Sequence, residues 1–246
     1  MFLACKQGDL KKIQQLHNYN ATTDITLANK NGCTPMHLAC QHNHLHIIQW
    51  LFNHGAAQDL TKEEHVFGRT PLFTACEKNY LHIVHWLNTN GAAQDITKAD
   101  HNGVTPMHVA CQQNNVEICQ YLFDNGAAAD VHTPGKDGFT PMMAACQDNH
   151  LKVVQWIYDN GGGAASVTQV EQLGWTPMFI ACQQGNLELI QWLYAHGGSE
   201  SIVKRINDGT TCLEIATFKN HVDVMQYLLD RGGDQIPHSY YYRYHE

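Results

Sequence analysis

Gly103-Val104-Thr105-Pro106-Met107-His108-Val109-Ala110-Cys111 is the stretch from which the architecture can be read. A glycine turn is followed by threonine, whose side chain can accept a hydrogen bond from the free amides of a helical first turn. Proline at the first helical position has no amide to leave unpaired. The segment Met107-His108-Val109-Ala110-Cys111 then gives a short helix with a small, apolar side, and Asn114-Asn115 breaks it. Val116, Ile118, Cys119, Tyr121, Leu122 and Phe123 recur at helical spacing and predict a second helix, which Gly126 stops at the expected site just past its end. Upstream, Asp95-Ile96-Thr97 followed by Asn102-Gly103 predicts a short extended piece and a hairpin tip.

The same letters return every 35 or 36 residues. Gly-x-Thr-Pro begins at Gly32, Gly68, Gly103, Gly138 and Gly174, and at Gly209 the proline is replaced by Cys212. Cysteine recurs at Cys40, Cys76, Cys111, Cys146 and Cys182, with a forerunner at Cys5. A second comb, Trp50, Trp86, Tyr121, Trp156, Trp192 and Tyr227, carries the aromatic of each second helix. Such a period means a solenoid in which each unit buries its apolar face on its neighbours. The expected fold is all-α: stacked helix–turn–helix units with projecting hairpin loops. The expected organisation is one domain over 1–246, with a partial unit at 1–23, full units at about 24–58, 59–94, 95–129, 130–165, 166–200 and 201–234, and a tail at 235–246.

Bulk composition excludes several function classes. With 15 basic and 23 acidic side chains the formal charge is −8, and no lysine or arginine run could follow a phosphate backbone. Met1 to Leu10 holds Lys6 and Asp9 and no continuous apolar segment, so neither a secretory signal nor a membrane span is expected there, and cytosol or nucleus follows. Six of the nine cysteines occupy one equivalent position on stacked helices, which sit roughly 8 to 10 Å apart, beyond the roughly 7 Å a disulfide allows. They read as a column of small buried thiols, while Cys33, Cys119 and Cys212 lie outside it with no paired spacing.

Chemistry has little foothold. Seventeen histidines include the run Cys40-x-His42-x-His44-x-His46, but ligands two apart point to different sides of a helix, and no Cys-x-x-Cys or His-x-x-x-His frame accompanies it. No nucleophile motif or phosphate-cradling loop is present, so no catalytic residue, cofactor or metal is expected. His82, His85, His150 and His221 read as solvated.

The pattern resembles the ankyrin repeat, whose hallmark Thr-Pro-Leu-His-x-Ala stands here as Thr34-Pro35-Met36-His37-Leu38-Ala39 and Thr105-Pro106-Met107-His108-Val109-Ala110. The usual unit is about 33 residues, and the extra length here lies between helix end and hairpin tip. The resemblance implies that His37 and His108 hydrogen-bond neighbouring turns. It also implies that the chain is a protein-binding scaffold with no enzymatic activity, holding another protein in a concave groove of hairpin tips and first helices.

Side chains out of step with the array are the candidates for that groove. At the tips these are Val66, Phe67, Arg69, Val104, Phe139, Leu173 and Trp175; on the first helices they are His42, Lys78, Gln113, Asp148 and Gln184. A large exposed apolar patch marks a binding surface, although neighbouring fingers could instead pack these side chains against each other. The in-register tryptophans read as core. The tail Ser239 to Glu246, with four tyrosines, reads as a lid on the last helix or a free peptide. The chain is expected to be monomeric, with another protein as partner and neither nucleic acid nor membrane. Alternatives are a spacer or fragment of a larger protein with activity elsewhere, and a Cys/His metal binder.

Overall fold

The computed structural model describes residues 1–19 and 25–233 and falls into two compact units, Met1–Asp130 and Val131–Glu246. The tyrosine-rich tail lies outside the described residues. Among the described residues there is helix and turn but no strand.

In the first unit, four helix pairs stack in chain order: α1 (Phe2–Gln7) with α2 (Leu10–Tyr19), α3 (Pro35–Gln41) with α4 (Leu45–Leu51), α5 (Pro71–Glu77) with α6 (Leu81–Leu87), and α7 (Pro106–Gln112) with α8 (Val116–Leu122). The leading partial unit thus carries both of its helices. The second unit holds α9 (Pro141–Gln147) with α10 (Leu151–Ile157), a one-and-a-half-turn α11 (Gly163–Thr168), then α12 (Pro177–Gln184) with α13 (Leu187–Leu193) and α14 (Cys212–Phe218) with α15 (Val222–Asp230).

Local chemistry sets the helix ends. Thr70, Thr140, Thr176 and Thr211 each accept the amide three residues on, a cap worth about 1 kcal/mol. The first helices of the full units end on a left-handed residue, Asn43, Asn79, Asn114, Asn149, Gly185 or Asn220. Behind it the next amide reaches back to close the turn, as in His44 to the Ala39 carbonyl at 2.9 Å and Tyr80 to Ala75 at 2.9 Å. Asparagine serves there because its short polar side chain tolerates positive φ.

The core of each unit is the comb. Cys5, Cys40, Cys76, Cys111, Cys146 and Cys182 are buried and unbridged. Two of the three off-comb cysteines, however, sit against comb members. Cys119 Sγ lies 3.6 Å from Cys111 Sγ across the α7/α8 pair, and Cys212 is in contact with Cys182. The pairs are invisible as spacing because one partner is eight residues away on the facing helix and the other lies in the following repeat.

Two sequence expectations are corrected. The piece after each second helix is a helical turn where an extended segment was expected: Ala57–Thr61, Ala93–Ile96, Ala128–Val131 and Ser199–Ile202 are 3₁₀ turns. The chain reverses at a left-handed glycine such as Gly91 (φ 123°), and a helical turn then buries both Asp95 and Ile96. The tryptophans are also less enclosed than core. Trp156 is buried, but Trp50, Trp86 and Trp192 are half-buried, set edge-on against an aromatic of the preceding repeat: Phe52 meets Trp86 at 5.4 Å and Tyr158 meets Trp192 at 5.3 Å.

Candidate partner-binding surface

Each finger is held by a carboxylate or amide oxygen that caps its own tip. Asn29 Oδ1 accepts from Asn31 and Cys33 N–H, Asp100 Oδ1 from Asn102 and Val104, and Glu171 Oε1 from Leu173 and Trp175, the last two at 2.8 Å. In the finger with one extra residue, the turn closes one residue later, Gly68 N–H reaching the Glu64 carbonyl at 3.1 Å. The longer Glu64 side chain spans it by accepting from Val66, Phe67 and Arg69. Burial opposes ionisation of Glu64, but those amides and the Arg69 guanidinium outweigh it and hold its pKa below the ordinary carboxylate range.

Fingers are also laced to each other within each unit. In the first, His65 N–H donates to the Asn31 carbonyl at 2.8 Å and His101 N–H to Phe67 at 2.6 Å; in the second, Asn207 N–H donates to Leu173 at 2.9 Å. His37 adds a side-chain tie. Its Nδ1 accepts from the Thr34 amide and faces the Thr34 hydroxyl at 2.9 Å, leaving Nε2–H to donate to the Arg69 carbonyl at 3.3 Å. Burial pushes its pKa down to about 4, so the ring is neutral. In the last repeat Glu214 replaces the histidine and still reaches the Thr211 amide, at 2.8 Å.

On this frame, the first unit exposes Val66 (52%) and Phe67 (45%) at one tip, with half-buried Val104 at the next. Arg69 is drawn into the scaffold. Its guanidinium lies 4.7 Å from the Phe67 ring centre and 5.0 Å from that of buried Phe73, and it pairs with Glu77 at 2.8 Å and with Asp100 of the following finger at 3.5 Å. His42 is half-buried, while Lys78 and Gln113 are exposed at the ends of their first helices.

In the second unit Leu173 is 58% exposed, whereas Phe139 and Trp175 are half-buried. Trp175 leans on Phe179, ring centres 5.6 Å apart, and the two form a wall of an open cleft of about 530 Å³. Leu173, Gln183, Ile206, Asn207, Asp208, Thr210 and Ile215 complete its lining. Phe139, Asp148 and Gln184 do not line it, although Asp148 and Gln184 are exposed. Of these lining residues the sequence reading offered only Leu173 and Trp175 as groove candidates, and it missed Phe179, Gln183, Ile206, Asn207, Asp208, Thr210 and Ile215. Ile206 had a signal, because it stands where Asn29, Asp100 and Glu171 supply a capping oxygen, and an isoleucine cannot.

Other histidines read as solvated or as metal candidates are bonded to the backbone of the previous repeat. His44 Nε2 lies 3.2 Å from the Lys6 carbonyl, His46 Nε2 lies 3.3 Å from that of Gly8, and His221 Nε2 lies 3.1 Å from that of Gln183. Among the described residues, no group of three or more His, Cys, Asp or Glu is placed to hold a metal ion, and no helix is long and apolar enough to cross a membrane.

Three overlapping spans, residues 1–100, 90–169 and 162–237, match the family model described as ankyrin repeats (3 copies). Among solved structures, the chain is similar to the crystal structure of the human ASB11 ankyrin repeat domain. The TM-score is 0.73 and the sequence identity 26%, over 96% of this chain and 98% of that one. A comparison with curated protein sequences finds no match. Ankyrin-repeat domains are in general protein-interaction scaffolds and are typically non-catalytic. With Thr-capped helix pairs recurring in register and the family model spanning nearly its full length, the chain belongs to the ankyrin-repeat family.

Proposed function

We propose that this chain is a non-catalytic scaffold that holds a partner protein against its finger tips and first-helix ends, as a monomer in the cytosol or nucleus. The observation that carries the reading is the display of apolar side chains on tied fingers. Val66, Phe67 and Leu173 are each close to half or more exposed while the backbone beneath them is bonded to carboxylates and to neighbouring fingers. Solubility alone gives no reason to order such side chains outward. A surface already ordered loses little conformational entropy on association, so burial of its aromatic and aliphatic groups appears as affinity. The free cysteines, all but one of them buried, suit a reducing compartment.

Affinity capture with the wild-type chain and with Phe67→Ala or Trp175→Ala as paired baits tests this. The partner is expected on the wild-type bait and lost from a variant whose unfolding free energy stays within about 1 kcal/mol of wild type. Equal recovery on all baits would refute the assignment of the tips, and global unfolding of Phe67→Ala would make that side chain part of the core.

A further inference from the structure

Resting on that reading, we infer that the cleft beside Trp175 takes a bulky apolar side chain of a partner polypeptide whose adjacent residues are lysine or arginine. Size and lining set the first half. About 530 Å³ between the Trp175/Phe179 wall and Ile206 and Ile215 lies within the range of pockets that bury a compact ligand, roughly 300–1,000 Å³. Leu173 stands exposed at its rim to cover whatever enters.

Charge sets the second half. Asp208 is the one charged residue in the lining, it is exposed, and its Oδ1 accepts the Thr210 amide at 2.8 Å. Hydrogen bonds from the Thr210 hydroxyl and amide hold its pKa below the ordinary carboxylate range, so it is anionic at neutral pH. Glu171 lies behind the rim with an oxygen committed to the Leu173 and Trp175 amides. The cation next in sequence, Arg205, is turned to the Gly209 carbonyl at 2.7 Å and to Glu214 at 3.6 Å. Glu214 in turn caps Thr211, so that pair serves the scaffold. An incoming ammonium or guanidinium therefore meets Asp208, whereas an incoming carboxylate meets a like charge beside an apolar floor. The formal charge of −8 on the whole chain works in the same direction during approach.

The test is selection of a random dodecapeptide phage library on the full chain, depleted on Trp175→Ala, followed by fluorescence anisotropy with the enriched peptides made synthetically. Leu173→Ala serves as a second cleft variant, and circular dichroism checks that each variant is folded. The expected peptides carry Leu, Met, Phe or Trp beside Lys or Arg. Their binding should fall more than tenfold in Trp175→Ala or Leu173→Ala and about two- to five-fold in Asp208→Asn, the latter loss shrinking at high salt. Peptides that need Trp175 but have acidic or uncharged flanks would overturn the charge preference and leave the scaffold reading standing. Peptides bound equally by both cleft variants would place binding elsewhere and overturn the cleft reading too, as would the absence of enrichment over Trp175→Ala. Tighter binding of a synthetic peptide of residues 234–246, or a dimer abolished by Trp175→Ala, would assign the cleft to the chain itself and overturn the proposal.

Discussion

Asp95→Asn should flatten the pH dependence of stability in the first unit. Asp95 is fully buried, and its counterpart Asp59 one repeat earlier is equally enclosed. Lys98 Nζ approaches only to 4.0 Å and is closer to Glu63, at 2.9 Å. Desolvation therefore outweighs Lys98 and the Thr70 hydroxyl and raises the Asp95 pKa from 3.8 to about 6. A pKa raised on folding means that the native state binds the proton more tightly. The contribution is fully present below the unfolded pKa and is lost as pH rises through about 6. With about 1.4 kcal/mol per pKa unit, the Asp95 carboxyl costs about 1 kcal/mol at about pH 4.5, where the unfolded chain ionises and the native one stays protonated, and about 3 kcal/mol at about pH 8, where both are ionised. An asparagine has no such term, and any cost of its unmatched N–H groups is the same at both pH values. Urea unfolding followed by circular dichroism at the two pH values should show the variant gaining about 2 kcal/mol on wild type between them. Asp95→Ser is the internal control, since Ser166 and Ser201 occupy the equivalent buried position in the second unit. A wild-type pH profile that shifts in parallel with both variants would refute the argument that Asp95 is buried at the expense of its charge.

His37 works in the opposite sense. Its pKa is depressed from 6.5 to about 4, so its contribution is present above 6.5 and lost as pH falls through about 4, and His37→Gln should remove a proton-linked loss over that window. Unchanged acid unfolding would contradict this. Gly185→Ala should cost about 2 kcal/mol, because φ is +77° and a Cβ would lie 2.4 Å from the His221 ring, which is held by the Gln183 carbonyl. Gly185→Asn, which tolerates the left-handed backbone, should remain destabilising in the same thermal melt; a neutral Asn variant would mean that the ring yields. Native thiol labelling should modify at most the half-buried Cys33, since burial raises the pKa of Cys40, Cys76 and Cys146, and denaturation should expose all nine thiols. Rapid labelling of two or more in the folded protein would contradict the packing described.

The repeat was legible because its signals are local. A threonine cap with proline at the next position, an asparagine or glycine one or two residues past the end of the first helix, and aliphatic positions three and four apart are satisfied within one repeat, so each can be read from its own letters. The sequence alone thus determined the six full helix pairs, their order and the column of buried thiols, whereas the complete leading pair and α11 emerged only in the structure. Only tertiary structure decided which odd residues are free to bind. Arg69 reads from its position as a groove residue, yet Phe73, Glu77 and Asp100 engage it from the helix behind and the finger beyond. Cys119 and Cys212 found partners, and His44 and His221 found carbonyls 38 residues away. Trp175 gained a cleft from Ile206 and Ile215, which belong to the following repeat. The physical reason is common to all four cases: exposure and pairing depend on what the facing helix or a neighbouring layer places opposite a side chain, and that distance in space is set by packing, which a periodic pattern announces without specifying its contacts.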